Sequence, residues 1–152
     1  MSVLDGRRVL LVEDESLVAM MAEDMLIDLG CDVVVAMRLD QALAYLDSSA
    51  FDLAILDVNL GAARSYPVAD ALFALAVPFV FATGYGLEGL EPTYRGVPVL
   101  QKPYQHVQMK QLLEHLIACG APSRQASSGA VGFPCACRSG VGGAFRSPRL
   151  GS

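Results

Sequence analysis

The sequence predicts an α/β domain, a doubly wound parallel sheet of five strands with helices on both faces and a short fourth helix. Three observations lead there. From residue 8 onward, short apolar segments alternate with helix-length amphipathic ones. The short segments are apolar at successive positions, as strands covered on both faces must be. Polar or charged residues follow most of them closely, on the edge where open parallel sheets bind ligands.

The first strand is "RVLLV", from residue 8. Residues 16 to 29 then place Val18, Met21, Ala22, Met25, Leu26 and Leu29 on one helix face that stops at Gly30, so the methionines of this helix and the following Cys31 are expected in the core. "DVVVA", residues 32 to 36, is the second strand, and a helix covers about 39 to 48. "DLAILD", 52 to 57, is the third strand, and "PVADALFALA", 67 to 76, is a helix with Pro67 in its first turn. Tyr45 and Tyr66 are expected to be half-buried. "FVFAT", 79 to 83, and "VPVL", 97 to 100, complete the strands. Between them "GYGLEGLEPTYRG" holds four Gly and Pro92, which limits the fourth helix to one or two turns. The last helix, 105 to 118, sets Met109, Leu112, Leu113 and Leu116 at helical spacing.

The 152 residues suit one domain with its own core, and 53 % hydrophobic against 18 % charged excludes a chain disordered throughout. The expected division is a domain over 1–120 and a disordered tail over 121–152, where Ser, Gly, Ala and Arg follow one another without period. Charge divides at the same place. Residues 1–119 carry 7 basic and 16 acidic groups, or −9, and the rest carry four Arg and no acid. An acidic body repels nucleic acid, and scattered Arg without interleaved aromatics makes no nucleic-acid site. No apolar stretch is long enough to cross a bilayer, and the apolar run near the N-terminus is too short for a signal peptide, so a cytoplasmic location is expected. Cys31, Cys119, Cys135 and Cys137 form neither a disulfide framework nor a complete metal set.

The strand ends carry the chemistry. Glu13 and Asp14 follow strand one, Asp57 ends strand three, Thr83 ends strand four and Lys102 follows strand five. Asp57 is expected to be exposed at this edge. Each alone could be a turn residue or a helix cap; their convergence on one rim is what points to a site. Three neighbouring carboxylates repel unless a cation shares them, and oxygen donors in a shallow site suit Mg²⁺. Asp14 and Asp57 are assigned as direct ligands, the Asn59 carbonyl as a third, and Glu13 as a group acting through water. Lys102 sets a positive charge opposite the metal, and the Thr83 hydroxyl can donate to a phosphoryl oxygen. The pocket suits a phosphoryl group beside a carboxylate able to attack it.

Together "VLLVEDE", "LAILDVNLG", "FVFATG" and "VLQKPY" resemble the receiver domain of two-component response regulators, a flavodoxin-like fold, over residues 7 to about 119. The resemblance implies that Asp57 is the phosphoacceptor, Glu13 and Asp14 the acidic metal pair, Thr83 the switch hydroxyl, and Lys102, followed by Pro103, the conserved lysine of the family. It further implies a histidine kinase or histidine phosphotransfer protein as donor, Mg²⁺ as cofactor, and slow hydrolysis of the chain's own aspartyl phosphate. "PFVFATGYG" with "PVLQKPY" resembles more narrowly the FAT-GUY subgroup, found in alphaproteobacteria as stand-alone or kinase-attached domains, some in general stress signalling. One position departs from the family. The aromatic usual three residues before the lysine is Val99 here, and Tyr85, on its Gly-flanked loop, is the expected replacement as moving ring.

The expected function is a phosphorylation-dependent switch, not a turnover enzyme, acting on a downstream protein through the fourth helix, fifth strand and fifth helix. That surface is also open to homodimerisation. Two rivals remain. A small Mg²⁺-dependent phosphohydrolase of the haloacid dehalogenase type needs an acid two residues past its nucleophile, where this chain has Asn59, which cannot shuttle a proton. A phosphorylation-independent scaffold would bind its partner equally well with Asp57→Asn.

Overall fold

The computed structural model describes residues 3–61, 63–84, 90–94 and 96–119. Tyr85, most of the fourth-helix segment, Cys135, Cys137 and the 121–152 tail lie outside these described residues.

The chain runs β1 (Arg8–Val12), α1 (Ser16–Asp28), β2 (Asp32–Ala36), α2 (Leu39–Ser48), β3 (Leu53–Asp57), β4 (Asn59–Leu60), β5 (Ala63–Arg64), α3 (Tyr66–Leu75), β6 (Phe79–Thr83), a 3₁₀ turn (Pro92–Tyr94), β7 (Val99–Gln101) and α4 (His106–Cys119). Five strands form one sheet in the order β2-β1-β3-β6-β7, and all four pairings are parallel. The doubly wound sheet is therefore as expected. The fourth helix is represented among the described residues by the single 3₁₀ turn.

Side chains on a strand alternate between its faces, and here the alternation sorts the core into two layers. Leu10, Val12, Ala54, Leu56, Phe79 and Phe81 pack with Ala42 and Leu46 of α2 and Val68, Ala69 and Leu72 of α3. Val9, Leu11, Leu53, Ile55, Val80, Ala82 and Leu100 pack with Ala22 and Leu26 of α1 and Met109, Leu113 and Leu116 of α4. Glu13 falls two residues past Leu11, Asp57 two past Ile55, and Lys102 two past Leu100. All three leave the sheet in phase with the α1–α4 side.

Two helix ends show how the backbone is closed. Gly30 takes φ +92 after α1; Cys31 N–H donates to Leu26 O at 3.0 Å and Gly30 N–H to Ile27 O at 2.9 Å, a Schellman closure that only Gly enters without strain. A Cβ there would collide with the Asp5 carboxylate. After α3 the same left-handed conformation falls on Ala76, φ 58 and ψ 38.

Three expectations are corrected. Met20 and Met21 of α1 are 57 % and 49 % exposed: the helix docks through the narrow stripe Ala19, Ala22 and Leu26, which leaves both methionines at the surface. Met25 is half-buried and Cys31 is buried. Tyr66 is buried, not half-buried, because Tyr94 stacks on it; Tyr45 is half-buried as expected. Asp57 ends its strand but is only 6 % exposed, enclosed by the groups described next. Among the described residues, no helix is long and apolar enough to cross a membrane.

Candidate functional site

The carboxyl ends of β1, β3, β6 and β7 enclose an open cleft of about 670 Å³. Asp14, Asp57, Asn59, Thr83 and Lys102 line it, together with Val18 and Met21 of α1, Gly61 and Tyr104. Tyr104, Gly61 and the α1 side chains were missed from sequence. Glu13, fully buried at the end of β1, lies behind the cleft wall.

The chain after β3 positions Asp57. Val58 N–H donates to Ala82 O at 3.2 Å and Ser65 N–H donates to Val58 O at 3.0 Å. Between them β4 and β5 form a two-stranded antiparallel ribbon, with Gly61 at φ +63 in its turn, a conformation Gly adopts without penalty. In the sequence, Asn59-Leu60-Gly61 carries the turn signal that this ribbon uses. The ribbon holds the Asn59 backbone N–H 3.4 Å from Asp57 Oδ1. The Asn59 side chain is exposed, so its backbone is the part that faces the acid.

Lys102 crosses the site. Its Nζ is 3.1 Å from Asp57 Oδ2 and 3.2 Å from Glu13 Oε1, and its backbone N–H donates to Thr83 O at 3.0 Å, tying β7 to β6. Thr83 is 2 % exposed. Glu13 Oε1 also accepts from the Tyr104 hydroxyl at 3.2 Å, and Glu13 Oε2 from Glu15 N–H at 3.3 Å. Burial and the neighbouring Asp57 charge push the Glu13 carboxyl up to about 7, against the opposing pull of Lys102. For Lys102, burial alone would lower the ammonium, but the charges of Asp57 and Glu13 outweigh it and raise it. Burial and the charge of Glu13 raise the Tyr104 phenol far above its ordinary range, so it remains a donor.

Glu13, Asp14 and Asp57 each offer a carboxylate oxygen within 4.8 Å of the others. When all are ionised, three acids and one lysine leave a net charge of −2, which is costly in a partly desolvated site. Oxygen-only donors around such a charge fit a hard divalent cation.

The response regulator receiver domain model matches residues 9–114. This chain belongs to that family. Solved structures agree with the assignment. SdrG from Sphingomonas melonis Fr1, in solution, is 43 % identical with a TM-score of 0.64, covering 76 % of this chain and 99 % of SdrG. The BeF3-activated conformation of SdrG, from Pseudomonas melonis Fr1, is 44 % identical with a TM-score of 0.65, covering 77 % and 99 %. The receiver domain of the sensor histidine kinase PA1611 from Pseudomonas aeruginosa PAO1, with a magnesium ion coordinated in its active-site cleft, is 25 % identical with a TM-score of 0.66, covering 74 % and 98 %. Comparison with curated proteins gave no match. In this receiver domain the cleft of Asp14, Asp57, Thr83 and Lys102 sits at the carboxyl edge of the sheet, where the fold class places ligands.

Proposed function

We propose that the chain is a phosphorylation-dependent signalling switch whose phosphoacceptor is Asp57. The observation that carries this reading is the Lys102 ammonium 3.1 Å from Asp57 Oδ2, on the wall of a cleft that also presents Asp14 and Thr83. In the proposed step an Asp57 oxygen attacks the phosphorus of a phosphohistidine. The new P–O bond forms as the P–N bond breaks, and its electron pair leaves with the imidazole. Lys102 and the Thr83 hydroxyl meet the charge on the phosphoryl oxygens. Asp14, Asp57 and the Asn59 carbonyl would hold Mg²⁺, with Glu13 acting through water; bound there, the ion neutralises phosphoryl charge. Water later cleaves the acyl phosphate, returning Asp57 and inorganic phosphate.

The donor we propose is a histidine kinase or histidine phosphotransfer protein. Exposed Leu17, Met20 and Met21 form an apolar ridge on α1, and Met21 reaches the cleft itself, a surface a helical donor can cover while its histidine enters. The output is a contact with a downstream protein around β7, an edge strand, and α4. The "FATGYG" stretch supports placing the chain in the FAT-GUY subgroup, with Thr83 and Tyr85 as its moving pair, and the compartment we propose is the cytoplasm.

Intact mass after incubation with acetyl phosphate and Mg²⁺ tests the phosphoacceptor. Wild type should gain about 80 Da, one phosphoryl group, and Asp57→Asn should gain nothing. A gain in both would move the acceptor elsewhere. No gain in either would favour the phosphorylation-independent scaffold.

A further inference from the structure

Tyr104 lies two residues past Lys102 and is 5 % exposed. The Glu13 carboxylate it touches is wholly buried and has three donors: Lys102 Nζ, the Tyr104 hydroxyl and Glu15 N–H. Of these, Lys102 also reaches Asp57. The lysine is therefore divided between two acids. Once Asp57 carries a phosphoryl group, the added negative charge draws Lys102 toward the new oxygens and weakens its hold on Glu13. A buried carboxylate that loses its cation is costly unless other donors satisfy it. The backbone N–H of Glu15 serves Oε2; the Tyr104 hydroxyl serves Oε1, the same oxygen to which Lys102 is nearest.

We infer that Tyr104 is a positioning residue: its hydroxyl holds Glu13 Oε1 so that Lys102 can transfer from Glu13 to the phosphoryl group on Asp57. The inference rests on the reading of Asp57 as phosphoacceptor. A phenylalanine in this place would fill the same space and leave Glu13 dependent on the lysine, which would then stay with it. Tyr104 acts through Glu13, so its effect should vanish when Glu13 no longer carries a charge.

The test uses the full chain as wild type, Tyr104→Phe, Glu13→Gln and the double variant, with acetyl phosphate at saturating Mg²⁺, following the phosphorylated species by intact mass. Tyr104→Phe should slow phosphorylation about tenfold, the scale of one lost hydrogen bond to a charged group. Its Mg²⁺ affinity, read from the Mg²⁺ dependence of the melting temperature, should stay within about twofold. Added to Glu13→Gln, Tyr104→Phe should cost no further rate; a packing role would make the two losses multiply. A wild-type rate in Tyr104→Phe, multiplied losses, or a Tyr104→Phe chain without a cooperative melt would overturn the inference. If wild type gains no mass, the phosphoacceptor reading fails first and the inference falls with it. Melting temperatures of the four proteins then separate the failures: coupling between the two substitutions shows the Tyr104–Glu13 bond intact, and its absence shows that the bond itself was misread.

Discussion

The rings of Tyr66 and Tyr94 stack face to face, 4.3 Å between centroids and 6° from parallel. They fasten the 3₁₀ turn to the first turn of α3. Glu91 N–H donates to the Tyr66 hydroxyl at 3.0 Å, and the Tyr94 hydroxyl donates to Asp70 Oδ1 at 2.9 Å. Phe81 meets both rings edge-on. Tyr94→Ala should cost about 3 kcal/mol by urea denaturation, the scale of a buried aromatic truncation. Tyr94→Phe keeps the stack and should cost about 1 kcal/mol, the loss of one hydrogen bond. Equal losses would show that the bond to Asp70, not the ring, secures the turn.

The Glu13 carboxyl gives the fold a pH dependence of unusual sign. Its folded value, near 7, lies above its ordinary 4.5, so between these limits the folded state binds more protons than the unfolded chain. In chelator, stability should therefore be greatest below about pH 4.5 as far as this group is concerned. It should fall by an amount on the order of a few kcal/mol as pH rises to 7, then level off. Asp57→Asn removes one cause of the shift and should flatten the profile. A wild-type profile already flat in urea titrations between pH 5 and 8 would mean that Glu13 ionises normally.

Asp14 adds a third carboxylate to a cluster within 4.8 Å. Replacing it with Asn removes repulsion, so the melting temperature without Mg²⁺ should rise by a few degrees, the equivalent of about 1 kcal/mol. The stabilisation wild type gains on adding Mg²⁺ should largely disappear. Calorimetry in chelator and in excess Mg²⁺ reads both. A lower melting temperature in chelator would mean that the Asp14 carboxylate is held by attractions that outweigh its neighbours.

Ala76 occupies a left-handed conformation at φ 58, where a Cβ costs about 1–2 kcal/mol. Its N–H and that of Val77 still close α3 onto Phe73 O and Leu72 O. Ala76→Gly should stabilise the protein by about 0.5–1 kcal/mol after the added freedom of the unfolded chain is counted, measured as a higher urea midpoint with an unchanged slope.

The rim of the sheet was legible because strand ends are legible: an apolar run stops, and the next residues name the chemistry. Glu13, Asp14, Asp57, Thr83 and Lys102 could all be placed that way. The enclosure of Asp57 could not, since it depends on the β4–β5 ribbon, two residue pairs too short for any periodic signal. Tyr66 was misjudged because its partner Tyr94 comes from the stretch with the weakest pattern. The Tyr104–Glu13 contact was not legible, because β7 ends at Gln101 and the cis Lys102–Pro103 bond interrupts the strand alternation before Tyr104. The methionines of α1 were misread because helical spacing gives a stripe's direction but not its width, and the small Ala19 and Ala22 made it narrow.

The two-layer alternation of the sheet also bears on how such a protein can change over generations. Glu13, Asp57, Lys102 and Tyr104 depart on the α1–α4 side, while Phe81, Tyr66 and Tyr94 occupy the opposite layer. Substitutions among these buried aromatics can repack the layer against α2 and α3 while leaving the acid–lysine arrangement untouched, so one layer can vary without the other. Thr83 is the hinge of that independence: in phase with Phe81 yet lining the cleft, it is the point at which a lineage cannot alter one layer without being read by the other.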